Sequence, residues 1–231
     1  PLKSIFYIKK FLLGFLLKFF SYKKNIILFS GKLKLNPFKN KNDRYVHFHS
    51  FDYSRYLNKK KQNSKKKNKD NLIFLDSAGP FFSDDLKIFG DKIFIDKRKW
   101  YQELNKFFRF LEIKFKSKII IIPHSKNKGQ KNPYYNSKFK IAHNNNAALD
   151  LIPNSKLVIA NTATTAVSFA VASKRPILLI YNDQIHQKIR NRFFDLNNMS
   201  KILGTQLVNI SNKFIDHEIN LRVNSKKYMK Y

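Results

Sequence analysis

The chain contains no cysteine. A disulfide scaffold, a thiolate metal site and a cysteine nucleophile are therefore excluded, and the composition fits a reducing compartment. Glycine and proline are sparse, 6 and 7 among 231 residues, which excludes collagen-like and linker-dominated chains. Acidic residues are few: 15 Asp and Glu stand against 46 Lys and Arg, for a net charge of +31. Long apolar runs are missing as well. The longest near the start, Phe11–Leu17, falls far short of the ~20 residues that span a bilayer. No small-residue cleavage site follows it, so it does not read as a signal peptide.

What is present is enough to build a core. Hydrophobic residues make up 43% of the chain, and its 23 Phe and 11 Tyr exclude wholesale disorder. The positive charge is uneven. Residues 1–70 hold nineteen Lys and Arg against Asp43, Asp52 and Asp70, whereas residues 141–187 hold Lys156, Lys174 and Arg175 against Asp150 and Asp183. Such an excess fits an anionic partner. It also fits the Lys-, Asn- and Ile-rich drift of an AT-biased genome. The chain begins with Pro1 rather than Met, as expected for a processed product or a part of a longer chain.

Within residues 4–20, Lys9, Lys10 and Lys18 interrupt Phe and Leu. Two readings are open: a buried helix at a domain edge, or an interfacial helix whose lysines meet anionic lipid. Asn25–Ser30 and Tyr45–Ser50 read as strands, and a short helix can begin at Asp52. Residues 59–70, KKKQNSKKKNKD, have no apolar residue and read as a solvated linker.

From residue 71 the pattern is regular. Asn71–Asp76 is a buried-strand run. Over Lys97–Phe115 the residues Trp100, Leu104, Phe107, Phe108, Leu111 and Phe115 share one helical face. Lys118–Pro123 carries four consecutive Ile without alternation, which implies a strand covered on both sides, as in a parallel sheet. Phe139–Ala142, Lys156–Ala160, Pro176–Tyr181 and Thr205–Ile210 are further strands. Asn146–Ile152, Thr164–Ser173 and Gln184–Asn198 suit helices. Strands alternating with helices predict an α/β fold: a Rossmann-like parallel sheet with flanking helices over residues 71–215. Residues 1–58 are then a remnant of a first domain or a basic extension, and 216–231 a basic tail.

In such sheets ligands bind beyond the carboxyl ends of the strands. The candidates there are Asp76, followed by Ser77; His124 and Ser125; Asn161, Thr162, Thr164 and Thr165; and Asn182 with Asp183. A hydroxyl-rich turn opening a helix offers hydroxyls and free backbone N–H groups to a phosphate, although Thr at that place also suits a plain cap. His124 can donate to phosphate. Asp76 is the candidate general base, its bland alternative being a turn cap. No Walker loop, GxGxxG, HExxH or GxSxG pattern occurs. His47 and His49 sit two apart on one strand face, but no third ligand is evident, so neither a metal nor a cofactor is expected.

The run NSKLVIANTATTAVSFAVASKRPILLIYND, Asn154–Asp183, resembles the second domain of GT-B-type glycosyltransferases. The wider order of HSFDYSRYL, IFLDSAGP, WYQELNKFF and IIIIPHSK resembles a bacterial family of surface-polysaccharide (capsule, O-antigen) synthesis. Sialyl- and polysialyltransferases have a His-Pro motif and a Ser/Thr pair that hold a CMP-linked donor. His124 and Thr164-Thr165 match these positions, with Ser125 where Pro would follow and Thr in place of Ser. The resemblance implies a nucleotide-sugar donor, a polysaccharide or glycolipid acceptor, and a cytoplasmic location, peripheral at the inner membrane face. It also implies that the acidic base lies in the first domain, so that this stretch carries donor-binding residues without the full catalytic set. Two other readings compete. One is a non-catalytic basic protein binding nucleic acid or a membrane surface, although residues 59–69 lack the aromatics that stack on bases. The other is a sugar-nucleotide epimerase on the same fold.

Overall fold

A computed structural model describes residues 26–29, 43–47, 50–62, 70–76, 95–124, 132–144, 146–211 and 218–231. The apolar segment 4–20, residues 63–69, Ser77, Ser125 and His49 lie outside the described residues. The chain divides into two compact units, residues 1–54 and 55–231. In the first, β1 (Ile26–Phe29) and β2 (Arg44–His47) pair in parallel, Ile26 beside Arg44 through Phe29 beside His47.

The remaining elements follow in the order α1 (Phe51–Gln62), β3 (Asn71–Asp76), α2 (Lys97–Phe115), β4 (Lys118–Pro123), β5 (Lys140–Ile141) and α3 (Ala147–Leu151). Then come a 3₁₀ turn (Ile152–Asn154), β6 (Ser155–Ala160), α4 (Val167–Ala172), β7 (Ile177–Tyr181), α5 (Asp183–Lys188), α6 (Arg190–Leu203), β8 (Gln206–Asn209) and α7 (Ser225–Lys230). The helix expected to begin at Asp52 runs on to Gln62, so Lys59–Gln62 of the Lys-rich stretch are helical rather than linker. Within this stretch Lys59 pairs with Asp150 at 2.9 Å.

Strands β3 to β8 form one parallel sheet in the order β5-β4-β3-β6-β7-β8. Counted from β3, that is 3-2-1-4-5-6, the order of the doubly wound Rossmann-type sheet. The fold is therefore α/β and Rossmann-like, and the strand order reverses between β3 and β6. The Ile run of β4 is interior, one place from the middle, with Ile119, Ile120 and Ile121 buried.

Strand residues alternate between two cores, because successive side chains point to opposite faces. Leu72, Phe74, Ile119, Ile121, Leu157, Ile159, Leu178 and Ile180 meet Trp100, Leu104, Phe107, Phe108 and Leu111 of α2. Ile73, Leu75, Ile120, Val158, Ala160, Ile177 and Leu179 meet Leu149, Ile152, Val167, Phe169, Ala170, Leu196, Met199 and Leu203 from α3, its 3₁₀ turn, α4 and α6. Each fully buried Leu, Ile or Phe contributes on the order of 2 kcal/mol. Tyr56 of α1 and Tyr228 of α7 join the second core, and Ile219 joins the first, so the C-terminal stretch is packed onto the sheet.

Two helices differ from expectation. The span Gln184–Asn198 breaks at Ile189, whose φ of −122° and ψ of 64° are not helical. The break lets Ile185 and Ile189 pack in the first core while Leu196, Met199 and Leu203 pack in the second. Burial on both faces overrides the helical propensity of the run. The second difference is at the start of α4, described with the site. Among the described residues no helix is long and apolar enough to cross a membrane.

Candidate functional site at the carboxyl edge

Because all six strands are parallel, their last residues line one edge. His124 follows β4, Asp76 ends β3, Asn161 follows β6, Asn182 follows β7, and Asn209 ends β8. Register makes the neighbours explicit: Asp76 is beside Pro123 on one side, and Leu75 is beside Ala160 on the other. Asp76 and Asn161 thus flank the point where the strand order reverses. His124 is tied to this point by its backbone, its N–H donating to the Asp76 carbonyl at 3.0 Å. The structure brings Asp76, His124, Asn161 and Thr162 to one edge; Ser125 lies outside the described residues.

The Asp76 side chain is buried on the α2 side of the sheet, following Leu72 and Phe74 in alternation. Tyr101 of α2 forms an aromatic group with the 132–139 loop. Its ring stacks on Tyr134 at 5.4 Å and meets Tyr135 edge-on at 5.0 Å. Asn105 pins this loop, its Nδ2 donating to the Tyr134 carbonyl at 2.9 Å. The Tyr135 hydroxyl is buried without a partner in strict hydrogen-bond geometry among the described residues. It faces the Asp76 carboxyl as a looser polar contact. Burial pushes the Asp76 pKa up to about 6, and the Tyr135 hydroxyl draws it partway back. The Tyr135 phenol is itself raised well above 10, first by burial and then by the Asp76 charge.

Farther along the sheet, at the ends of β7 and β8, the groups are amides, and they are bonded. Asn182 is fully buried, and its Oδ1 accepts from Ile185 N at 3.0 Å, capping α5. Its Nδ2 donates to Glu103 Oε2 at 2.8 Å, tying α2 to the end of β7. Asn209 Nδ2 donates to Asp183 Oδ1 at 2.6 Å, and Asp183 N donates to Ser211 Oγ at 3.0 Å. Asp96 and Gln184 join the same seam, Asp96 N donating to Gln184 Oε1 at 2.8 Å.

The threonine turn departs from expectation. Helix α4 begins at Val167, not Thr164, and it is only six residues long. Thr164 and Thr165 precede it in 3₁₀-type turns: Val167 N donates to Thr164 O, and Ser168 N to Thr165 O, both at 3.0 Å. A tighter i→i+3 entry is favoured here because two adjacent β-branched residues resist the α conformation. Thr165 therefore serves the helix start through its carbonyl, which also accepts from Ser168 Oγ at 2.6 Å. Thr164 Oγ1 receives only a long bond from Ala166 N, 3.5 Å. Thr165 is exposed, and Thr162 and Thr164 are half-buried.

Sequence reasoning did not select Tyr101, Tyr135 or Glu103. The Tyr134-Tyr135 doublet was the one visible signal, but its approach to Asp76 depends on the tertiary fold. Among the described residues no cluster of three His, Asp or Glu is arranged to hold a metal ion. No protein-family model matches this sequence, and no curated protein matches it.

Proposed function

We propose that residues 71–211 bind a nucleotide-activated sugar at the carboxyl edge, as part of a glycosyltransferase of surface-polysaccharide synthesis. The observation that carries the reading is the strand-order reversal between β3 and β6 with Asp76 and Asn161 on its two sides, since ligands of doubly wound sheets bind at that crevice. The resemblance of residues 154–183 to a donor-binding domain supports the nucleotide sugar over other ligands.

In this reading the Asn161–Thr165 turn and His124 hold the donor phosphates. With α4 so short, hydroxyls and backbone N–H groups of the turn do this work more than a helix dipole does. Transfer needs no covalent intermediate. It needs a positioned donor, a base for the acceptor hydroxyl, and donors to the departing phosphate. Asp76 is the base of this proposal. A carboxyl with a pKa of about 6 is ionised at neutral pH yet far more basic than an ordinary aspartate.

The test is a thermal-shift screen of the whole chain against CMP-, UDP- and GDP-sugars. One nucleotide class raises Tm, and a ligand at about 100 times its Kd adds about 2.7 kcal/mol. No shift with any class at millimolar ligand rejects the proposal.

A further inference from the structure

The outer face of α2 carries a row of exposed cations. Arg98, Lys99, Lys106, Arg109 and Lys114 are exposed along it. Lys99, Lys106 and Ile113 are seven residues apart and so fall close to one line on the helix surface. The stretch from Arg98 to Lys114 is about 24 Å long at 1.5 Å per residue. Both acids of the helix face inward: Glu103 is held by Asn182, and Glu112 Oε1 accepts from Ile119 N at 2.9 Å. No ion pair to Arg98, Lys99, Lys106 or Arg109 is made among the described residues.

Helix stability does not account for this arrangement. Lys97, Arg98 and Lys99 occupy the first turn, which has no acidic residue. Cations there oppose the helix dipole. Amid the cations stands Ile113, 79% exposed. A row of Lys and Arg around an exposed aliphatic is the pattern of a surface that lies on anionic lipid: the charges meet headgroups, their stems lie along the interface, and the apolar side chain inserts. Nucleic acid is favoured less, because among the described residues the aromatic ring on this face, Phe110, is half-buried and already covered by Lys114 Nζ, 5.4 Å from its centroid.

We infer that the outer face of α2 is a docking surface for an anionic phospholipid bilayer. The inference does not rest on the nucleotide-sugar reading. The overall charge of +31 attracts any anionic vesicle, so the test must localise the binding. The full chain is titrated with vesicles of phosphatidylcholine containing about one third phosphatidylglycerol. Three forms are compared: wild type; Lys99→Gln, Lys106→Gln, Arg109→Gln together; and a control of equal charge, Lys138→Gln, Lys201→Gln, Lys226→Gln. Each juxtamembrane cation is worth about fivefold in binding. The α2 triple variant should therefore bind about 100-fold more weakly at low salt, and the control should change several-fold at most. Tm should be unchanged in both. Ile113→Asp, which leaves every Lys and Arg in place, should also lower vesicle binding. Equal losses in the two triple variants, or none in the α2 variant, would overturn the inference. So would a wild type that prefers a short RNA to the vesicles and loses that preference in the α2 variant.

Discussion

The end of β3 and the ends of β7 and β8 solve the same problem differently. At the ends of β7 and β8 the polar side chains are asparagines whose atoms are matched to Asp183, to a helix start and to Glu103. At the end of β3 stands one carboxyl in a tyrosine cluster, with a hydroxyl facing it but no well-formed bond from that hydroxyl. The amide side is neutral at Asn182 and Asn209, and its bonds add rigidity. The carboxyl side holds an electrostatic cost in the folded state, and such costs are commonest where a group has work to do. The contrast teaches that a place at the carboxyl edge alone does not mark a site. What differs is whether the polar group is satisfied by the fold.

The largest effect is expected from placing a second acid on the same face with no hydroxyl to meet it. Ile121 is fully buried and paired with Phe74, two residues before Asp76 on its strand. Ile121→Asp should abolish folding, because an uncompensated buried charge costs several kcal/mol. Loss of the cooperative unfolding transition by circular dichroism is the measurement.

Removing the existing charge should do the reverse. The Asp76 pKa is raised from 3.8 to about 6 in the folded state. Between those values the folded protein keeps a proton that the unfolded chain has lost, so stability falls as pH rises through that window and stays reduced above it. Asp76→Asn should remove that slope. The variant should match wild type near pH 4 and exceed it at pH 7.5, by about 3 kcal/mol at most. Urea titrations of both proteins across this range decide it. A variant no more stable at pH 7.5 would mean that the carboxyl is better compensated than its surroundings indicate.

On the amide side, Asn182→Ala deletes both a helix cap and a donor to a carboxylate, so stability should fall by about 2 kcal/mol. This loss should be nearly independent of pH between 5 and 8, in contrast to Asp76→Asn. A loss that tracks pH through that range would erase the distinction between the two sides.

The smallest change in stability is expected at the turn. Thr165→Ala leaves the carbonyl that the helix start uses, so unfolding should shift by less than about 1 kcal/mol. Nucleotide-sugar affinity, read by calorimetry, should fall by about 1–3 kcal/mol, the range for a hydrogen bond to a charged group. Unchanged affinity with reduced stability would leave Thr165 a structural residue only.

Much of the fold was legible because its signals are local. The uninterrupted Ile run and its Pro123 end delimit β4, and the 3.6-residue spacing from Trp100 to Phe115 delimits α2. The Ile189 break was not legible, since nothing in the run from Gln184 to Asn198 announces that its two halves belong to opposite faces. At the site, Asp76, His124 and Asn161 could be picked out as polar residues ending apolar runs. That Thr164 and Thr165 precede rather than begin α4 depends on backbone bonding that composition does not express.

By itself, then, the amino-acid sequence determined the α/β class, the parallel character of the sheet and the residues at the strand ends. Hydrophobic periodicity is a local property, and burial on both faces leaves its mark residue by residue. Only the tertiary structure decided the strand order, and with it that Asp76 and Asn161 flank the reversal. It alone also decided that Tyr135 faces the Asp76 carboxyl and that Glu103 is held by Asn182. These are contacts between residues distant in the chain, and a pKa or an oriented carboxylate exists only once folding has brought the partners together and removed the water.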